Sequence, residues 1–322
     1  MATHEKKRLF SKVDYDLFTD NVVNESKSTI YNINYNEIVI NDEEKKLYTE
    51  ENADKYGFYI GKIQSSNIDA FMEEHTDSLH SMMLNSEMRE SIFNASALEC
   101  RTSRNRDLGR YQIPVTRMKH KQEYKAVTGG LSKLSKIVQD KAMEDLKIIS
   151  KEENSPFNLL ITINQKLKDK ARIMTGKSFH RYVECVNERT PNTSDLEQLV
   201  VPRQNIHVDL PYDTNYKNKY LAVLPLLNCG AKVRVVTSSH RYDSWRDCLS
   251  KLVSGRVAHK PQTIVVPLNY GEFICFHPKL VHSGWEANFN LRLHTYIGFT
   301  NRKITDNKTY FIPRLVYPYF CN

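Results

Sequence analysis

From about residue 157 the chain is written in short segments of alternating apolar and polar residues. Phe157–Ile163, Phe179–Val186, Asn205–Leu210, Tyr220–Leu227, Lys232–Val236, Thr263–Pro267, Glu272–Phe276 and Leu291–Phe299 recur with turn residues between them. Side chains alternate between the faces of a strand, so each segment presents one face to a core and the other elsewhere. Eight such segments in succession are what two facing sheets require. The expected fold is mainly β with flanking helices: a double-stranded β-helix, or cupin-like jelly roll, with its core at about 155–305. Residues 67–93 and 130–150 carry helical spacing, the second through Leu131, Leu134, Ile137 and Val138 after the Gly129-Gly130 break. Such helices would buttress one sheet. Residues 1–50, polar and rich in asparagine, are expected to form a peripheral arm, with one or two strands in Thr29–Ile40, ahead of a single domain over 51–322.

Inside this pattern stand His207-Val208-Asp209, then His282, then Arg292. On a strand His207 and Asp209 project from one face with Cα atoms about 6.8 Å apart, close enough to share a metal. His282 follows 75 residues later, a separation that several strands can fold back over. Two imidazoles and one carboxylate cover one face of Fe(II) and leave the opposite positions open. Structural zinc sites are closed instead. His277 competes for the distal place, but it precedes Pro278, and the residue ten after it is Ala287, whereas the residue ten after His282 is Arg292.

Arg292 lies in Asn290-Leu-Arg-Leu-His-Thr-Tyr296, whose alternation puts Arg292, His294 and Tyr296 on one strand face. A permanently charged guanidinium inside a barrel calls for a carboxylate partner, which a dicarboxylate cosubstrate would supply.

Together these residues resemble the Fe(II)/2-oxoglutarate-dependent oxygenases, in pattern the phytanoyl-CoA dioxygenase-like branch. Tyr56-Gly-Phe-Tyr-Ile-Gly-Lys-Ile63 and Asn67-Ile-Asp-Ala-Phe-Met-Glu-Glu74 resemble the opening strand and helix of that branch. Arg234-Val-Val-Thr-Ser-Ser-His240 resembles its Pro-Gly-Ser-His turn with Thr237 and Ser238 in place of Pro and Gly, and Gly271–Phe276 leads into His282-Ser-Gly284 as the family's Gly-Asp strand leads into its distal ligand. The resemblance spans roughly 55–300 and is dense over 203–300; residues 75–200 match no named pattern. It implies Fe(II) on His207, Asp209 and His282, with 2-oxoglutarate and O2 as cosubstrates. Arg292 would hold the far carboxylate of 2-oxoglutarate, with Asn205 and His294 nearby. His294 takes the place of a hydroxyl in some members; it is open to two readings, a hydrogen-bond donor to the cosubstrate or a core histidine satisfied by backbone. The implied reaction releases succinate and CO2 and oxidises a C–H bond, by hydroxylation or by ring closure of the kind kainoid synthases carry out.

Charge offers the lead to the substrate. Lys and Arg number 46 against 38 Asp and Glu, a formal net charge of +8. The most basic stretch, 101–121, contains Arg101, Arg104, Arg106, Arg110 and Arg117. It reads either as a solvated face or as an anion-binding lip in which Arg110, Tyr111, Gln112 and Arg117 meet a small anionic substrate, such as a polycarboxylate amino-acid derivative or an acyl-CoA. Two alternatives accompany this reading: an oxygenase that modifies nucleic acid or protein, and a catalytically silent binding module of the same fold. The nucleobase-demethylating relatives carry a second arginine six residues after the first, and that place is Gly298. Intact ligands count against the silent module. The six cysteines are scattered without a Cys-x-x-Cys pair and read as buried small apolar residues. No apolar run is long enough for a membrane span and the start lacks a signal-peptide pattern, so a soluble, cytoplasmic monomer is expected.

Overall fold

The computed structural model describes residues 38–84, 110–114, 125–148, 160–165, 206–210, 216–256, 260–285, 289–298 and 310–311. Among the described residues, twelve strands form two six-stranded sheets. The first has the order β1 (Ile38–Val39), β8 (Thr263–Leu268), β7 (Ala231–Val236), β10 (His282–Gly284), β5 (His207–Val208), β12 (Tyr310–Phe311). The second runs β2 (Phe58–Lys62), β9 (Glu272–Phe276), β6 (Tyr220–Pro225), β11 (Phe289–Ile297), β4 (Leu160–Gln165), β3 (Arg110–Pro114).

The pairing is nested. β4 pairs with β11, β5 with β10, β6 with β9 and β7 with β8, each antiparallel. A long hairpin rolled into two facing sheets gives this order, so the core is a double-stranded β-helix with flanking helices. The nesting brings distant residues into register: His207 lies directly opposite His282 across one strand pair. The expected strand at 179–186 lies outside the described residues.

Side-chain alternation divides the interior into two layers. Between the sheets, Val233, Val235, Ile264, Val266 and Leu268 meet Leu221, Val223, Ile274, Phe276, Phe58 and Tyr296. On the other face of the second sheet, Ala222, Leu224, Leu291, Leu293, Phe273 and Cys275 pack under two helices. These are α3 (Ser65–Leu84) and α4 (Lys125–Asp145), after the short α1 (Asp42–Lys45) and α2 (Ala53–Tyr56). Val127, Leu131, Leu134 and Val138 are fully or almost fully buried; each such side chain contributes about 1.5–3 kcal/mol relative to exposure. A polar weld adds direction: Gln139 donates to Ser135 and Thr295, tying α4 to β11.

Two expectations change. The pair Gly129-Gly130 lies inside α4 rather than ahead of it, because a Cβ on Gly130 would overlap the ring of the buried His75. Close helix packing needs glycine there, which outweighs its poor helix propensity. Residues 38–50, expected as the end of a peripheral arm, are built into the sandwich. Ile40 and Tyr48 are buried, and buried Lys45 pairs with Glu272 at 2.9 Å. The part of the expected strands over Thr29–Glu37 lies outside the described residues. Among the three described free cysteines, Cys248 and Cys275 are buried as expected, whereas Cys229 is exposed in the turn before β7. No helix among the described residues is long and apolar enough to cross a membrane.

Candidate metal centre

His282 stands in register with both Val235 and His207. Val235 faces the inter-sheet core, so both histidines share that face, and Asp209, two residues after His207, returns to it. The His207 Nε2 to Asp209 Oδ1 distance is 3.4 Å and the His282 Nε2 to Asp209 Oδ2 distance is 3.6 Å. All three ligand atoms lie within 4.8 Å of one another. Donors about 2.1 Å from one ion in adjacent positions are about 3 Å apart, so each histidine–carboxylate pair needs to close by only about half an ångström.

The tautomer of the distal imidazole is set by its neighbour. His282 Nδ1 lies 2.9 Å from the carbonyl of Leu280; an Nδ1–H donating there leaves Nε2 as the ligand lone pair. The ring of Phe276 packs against that of His282 at 4.5 Å between centroids. His207 and His282 are almost fully buried, whereas the Asp209 side chain is 21% exposed, so the carboxylate marks the open side. Burial lowers the His282 pKa to about 4 against the pull of Asp209, which keeps the imidazole neutral, the form that binds metal, at neutral pH. Burial raises the Asp209 carboxyl, but His282 and His207, with a smaller contribution from His294, hold it below the usual carboxylate range.

Arg292 occupies β11 opposite Pro225 and Thr162. It is 4% exposed, its Nε has no hydrogen-bond partner, and burial alone brings its pKa down to about 10. It therefore remains charged at neutral pH. His294 and Tyr296 follow on the same face of β11, opposite Val223 and Leu221 of the inter-sheet core. Gly298, at φ 75°, sits where a Cβ would overlap the carbonyl of Asn218, so a larger side chain there would clash.

The residues assigned to substrate are placed by backbone alone. Arg110 and Gln112 lie in register with Asn164 and Thr162, and Thr162 with Arg292. Tyr111 lies between them in β3, in register with Ile163. Arg117 and Asn205 lie outside the described residues. The Leu280 carbonyl was not singled out from the sequence, because a single backbone carbonyl leaves no trace there.

No family model matches the chain, and no curated protein does. Among solved structures, the non-heme alpha ketoglutarate dependent epimerase SnoN from nogalamycin biosynthesis is similar at TM-score 0.43 and 10% identity, covering 80% of this chain and 83% of that one. HygX from Streptomyces hygroscopicus, with nickel and 2-oxoglutarate bound, is similar at TM-score 0.38 and 11% identity, covering 81% and 89%. A Pseudomonas putida prolyl-4-hydroxylase is similar at TM-score 0.36 and 11% identity, covering 77% and 95%. At these values the chemistry of the chain rests on its own residues.

Proposed function

We propose that this protein is a non-haem iron oxygenase that consumes 2-oxoglutarate and O2 and oxidises a C–H bond of a small molecule. The observation that carries this reading is Arg292, a buried guanidinium whose Nε has no partner, on the sheet face that lines the same interior as the His207, Asp209 and His282 set. A charge so placed is costly unless an anion joins it. A dicarboxylate with one end at the metal and the other on the Arg292 fork meets that demand with a charge-assisted pair of hydrogen bonds. The charges of Asp209, a divalent ion, a dianionic cosubstrate and Arg292 then sum to zero.

Iron with its cosubstrate supplies the oxidising chemistry: 2-oxoglutarate becomes succinate and CO2, one oxygen atom enters succinate, and the other leaves in an alcohol or, on ring closure, in water. The chain supplies aim and dryness. Leu280 holds the His282 imidazole, Asp209 contributes the negative charge, and Arg292 fixes the length and direction of the cosubstrate. Phe276, Leu221, Val223 and Tyr296 form an apolar wall that excludes water. His294 donates a hydrogen bond toward the cosubstrate carboxylate in this reading.

The test is anaerobic titration of the Fe(II)-loaded protein with 2-oxoglutarate, followed by the visible charge-transfer absorption of the chelate and, after air is admitted, by succinate. A saturable band and succinate release are expected. Absence of both in the iron-loaded wild type would remove the reading.

A further inference from the structure

After β7 the chain makes a turn, 237–241, that holds no metal ligand and is tied on two sides. One side is the end of α2, whose last carbonyls lack partners within the helix. Asp54 accepts from Arg241 and lies 3.1 Å from His240 Nε2, Lys55 accepts from the Ser238 hydroxyl at 2.8 Å, and Tyr56 accepts from the Ser238 amide at 2.8 Å. Ser238 stands at φ 60°, a left-handed conformation that a serine keeps where its surroundings over-determine it. Thr237 adds to the hold: its amide donates to the Gln262 carbonyl, and its hydroxyl accepts from the Gln262 amide.

The other side is the strand that enters the metal centre. One step beyond the pair His282 and Val235, the Val236 amide donates to the Val281 carbonyl. An antiparallel ladder would return a bond from the Val281 amide to the Val236 carbonyl. That amide goes instead to the Ser239 hydroxyl, at 2.8 Å. Ser239, Leu280 and Val281 are fully buried, so water offers no substitute acceptor.

A peptide unit is rigid and planar, so its N–H and C=O turn together. The Val281 N–H and the Leu280 C=O are the two ends of one such unit. Ser239 holds the first, and the second faces His282 Nδ1 at 2.9 Å. Without the hydroxyl, a buried amide would be left without an acceptor, and the unit would tilt to find one. That tilt would carry the Leu280 carbonyl off the imidazole, whose plane aims Nε2 toward Asp209.

We infer that Ser239 is a positioning residue for the metal: through one peptide unit it sets the angle of the His282 imidazole, and the carbonyls of α2 hold its turn in place. The inference rests on the metal centre of the proposed function. A short helix near the amino end thus bears on the metal without touching it.

The experiment titrates the full chain with Co(II) under calorimetry and records, for the Co(II)-saturated protein, the d–d absorption and urea unfolding. Ser239→Ala should weaken Co(II) about tenfold, as for loss of an outer partner of a ligating histidine, and should shift the d–d bands even at saturation. Ser239→Thr keeps the hydroxyl and should bring affinity back to within about threefold, with the wild-type spectrum. Ser135→Ala is the control, because it removes an equally buried serine hydroxyl between α4 and β11. It should lower stability and leave Co(II) affinity within about twofold and the bands in place. Should Ser239→Ala not fold, Ser239→Cys replaces it, with a weaker acceptor and a smaller expected loss. Wild-type affinity and spectrum in the Ala or Cys variant, failure of Ser239→Thr to recover them, or the same loss in Ser135→Ala overturns the positioning role while the metal centre stands. A wild type that binds no Co(II) removes the metal centre itself, and the proposed function with it.

Discussion

Two pairs of histidine rings lie within the described part of this protein, and only one is built for a metal. His207 and His282 stand with ring centroids 4.5 Å apart and Asp209 against both. His240 and His277 stand 5.2 Å apart, with backbone partners: His240 Nε2 lies 3.1 Å from the Asp54 carbonyl, and His277 Nδ1 accepts from the Lys279 amide. Tyr216 and Tyr220 pack edge-on to the His277 ring. Two imidazoles close together are therefore not the signal. The carboxylate is, because it offsets the ion's charge and supplies the third ligand, and because it returns to the same strand face two residues after His207.

The comparison breaks most directly at the carboxylate. Asp209→Ala should lower Fe(II) or Mn(II) affinity on the order of 100-fold or more, whereas His277→Asn should leave it within twofold; calorimetric metal titration reads both. Metal loss in the His277 variant would make the second pair the ligand set. Arg292→Gln should weaken 2-oxoglutarate by roughly 30-fold or more, as for one partner removed from a buried charge pair. Anaerobic titration of the Fe(II) form measures it, and metal affinity should be unchanged. His277→Ala should cost about 1–3 kcal/mol of stability through lost packing against Tyr216 and Tyr220, visible in urea unfolding, without altering the metal titration.

The smallest effect is a dependence on pH. Burial lowers His240 to about 4, with Asp54 opposing and Arg241 assisting, and lowers His277 to about 3, with His240 and Lys279 assisting. Both folded values lie below the ordinary 6.5, so the fold favours the neutral rings. Their contribution to stability is complete above about pH 6.5 and is lost as pH falls from there toward 4 and then 3. The melting temperature of the wild type should fall over that range, and His240→Gln should flatten the slope. An equal slope in the variant would place the acid sensitivity elsewhere.

Much of this was legible before the fold was known, for reasons particular to each residue. His207, Arg292 and His294 sit on strands whose alternation assigns a face, and Asp209 follows directly after β5, so their juxtaposition follows from spacing. The preference for His282 over His277 rested on the interval to Arg292; the fold adds the register with His207 and the Leu280 carbonyl. β10 was not foreseen as a strand, because His282–Gly284 is too short to show alternation and is held by its neighbours β5 and β7. The position of Gly130 within α4 depends on His75 of another helix, a contact no local pattern reports.

The two residues of β1 do more than their length suggests. They lie parallel to β8, Ile38 beside Ile264 and Val39 beside Val265, and occupy its free edge. Just beyond them Lys45 reaches Glu272 in the interior. A version of the chain shortened to begin at residue 51, where the sequence alone invited a boundary, would bare the Thr-Ile-Val-Val-Pro-Leu strand as a template for intermolecular pairing and leave Glu272 to Lys62 at the surface. Self-association of such a shortened protein would follow from that uncovered edge, and anyone trimming the chain for crystallisation should cut before residue 38.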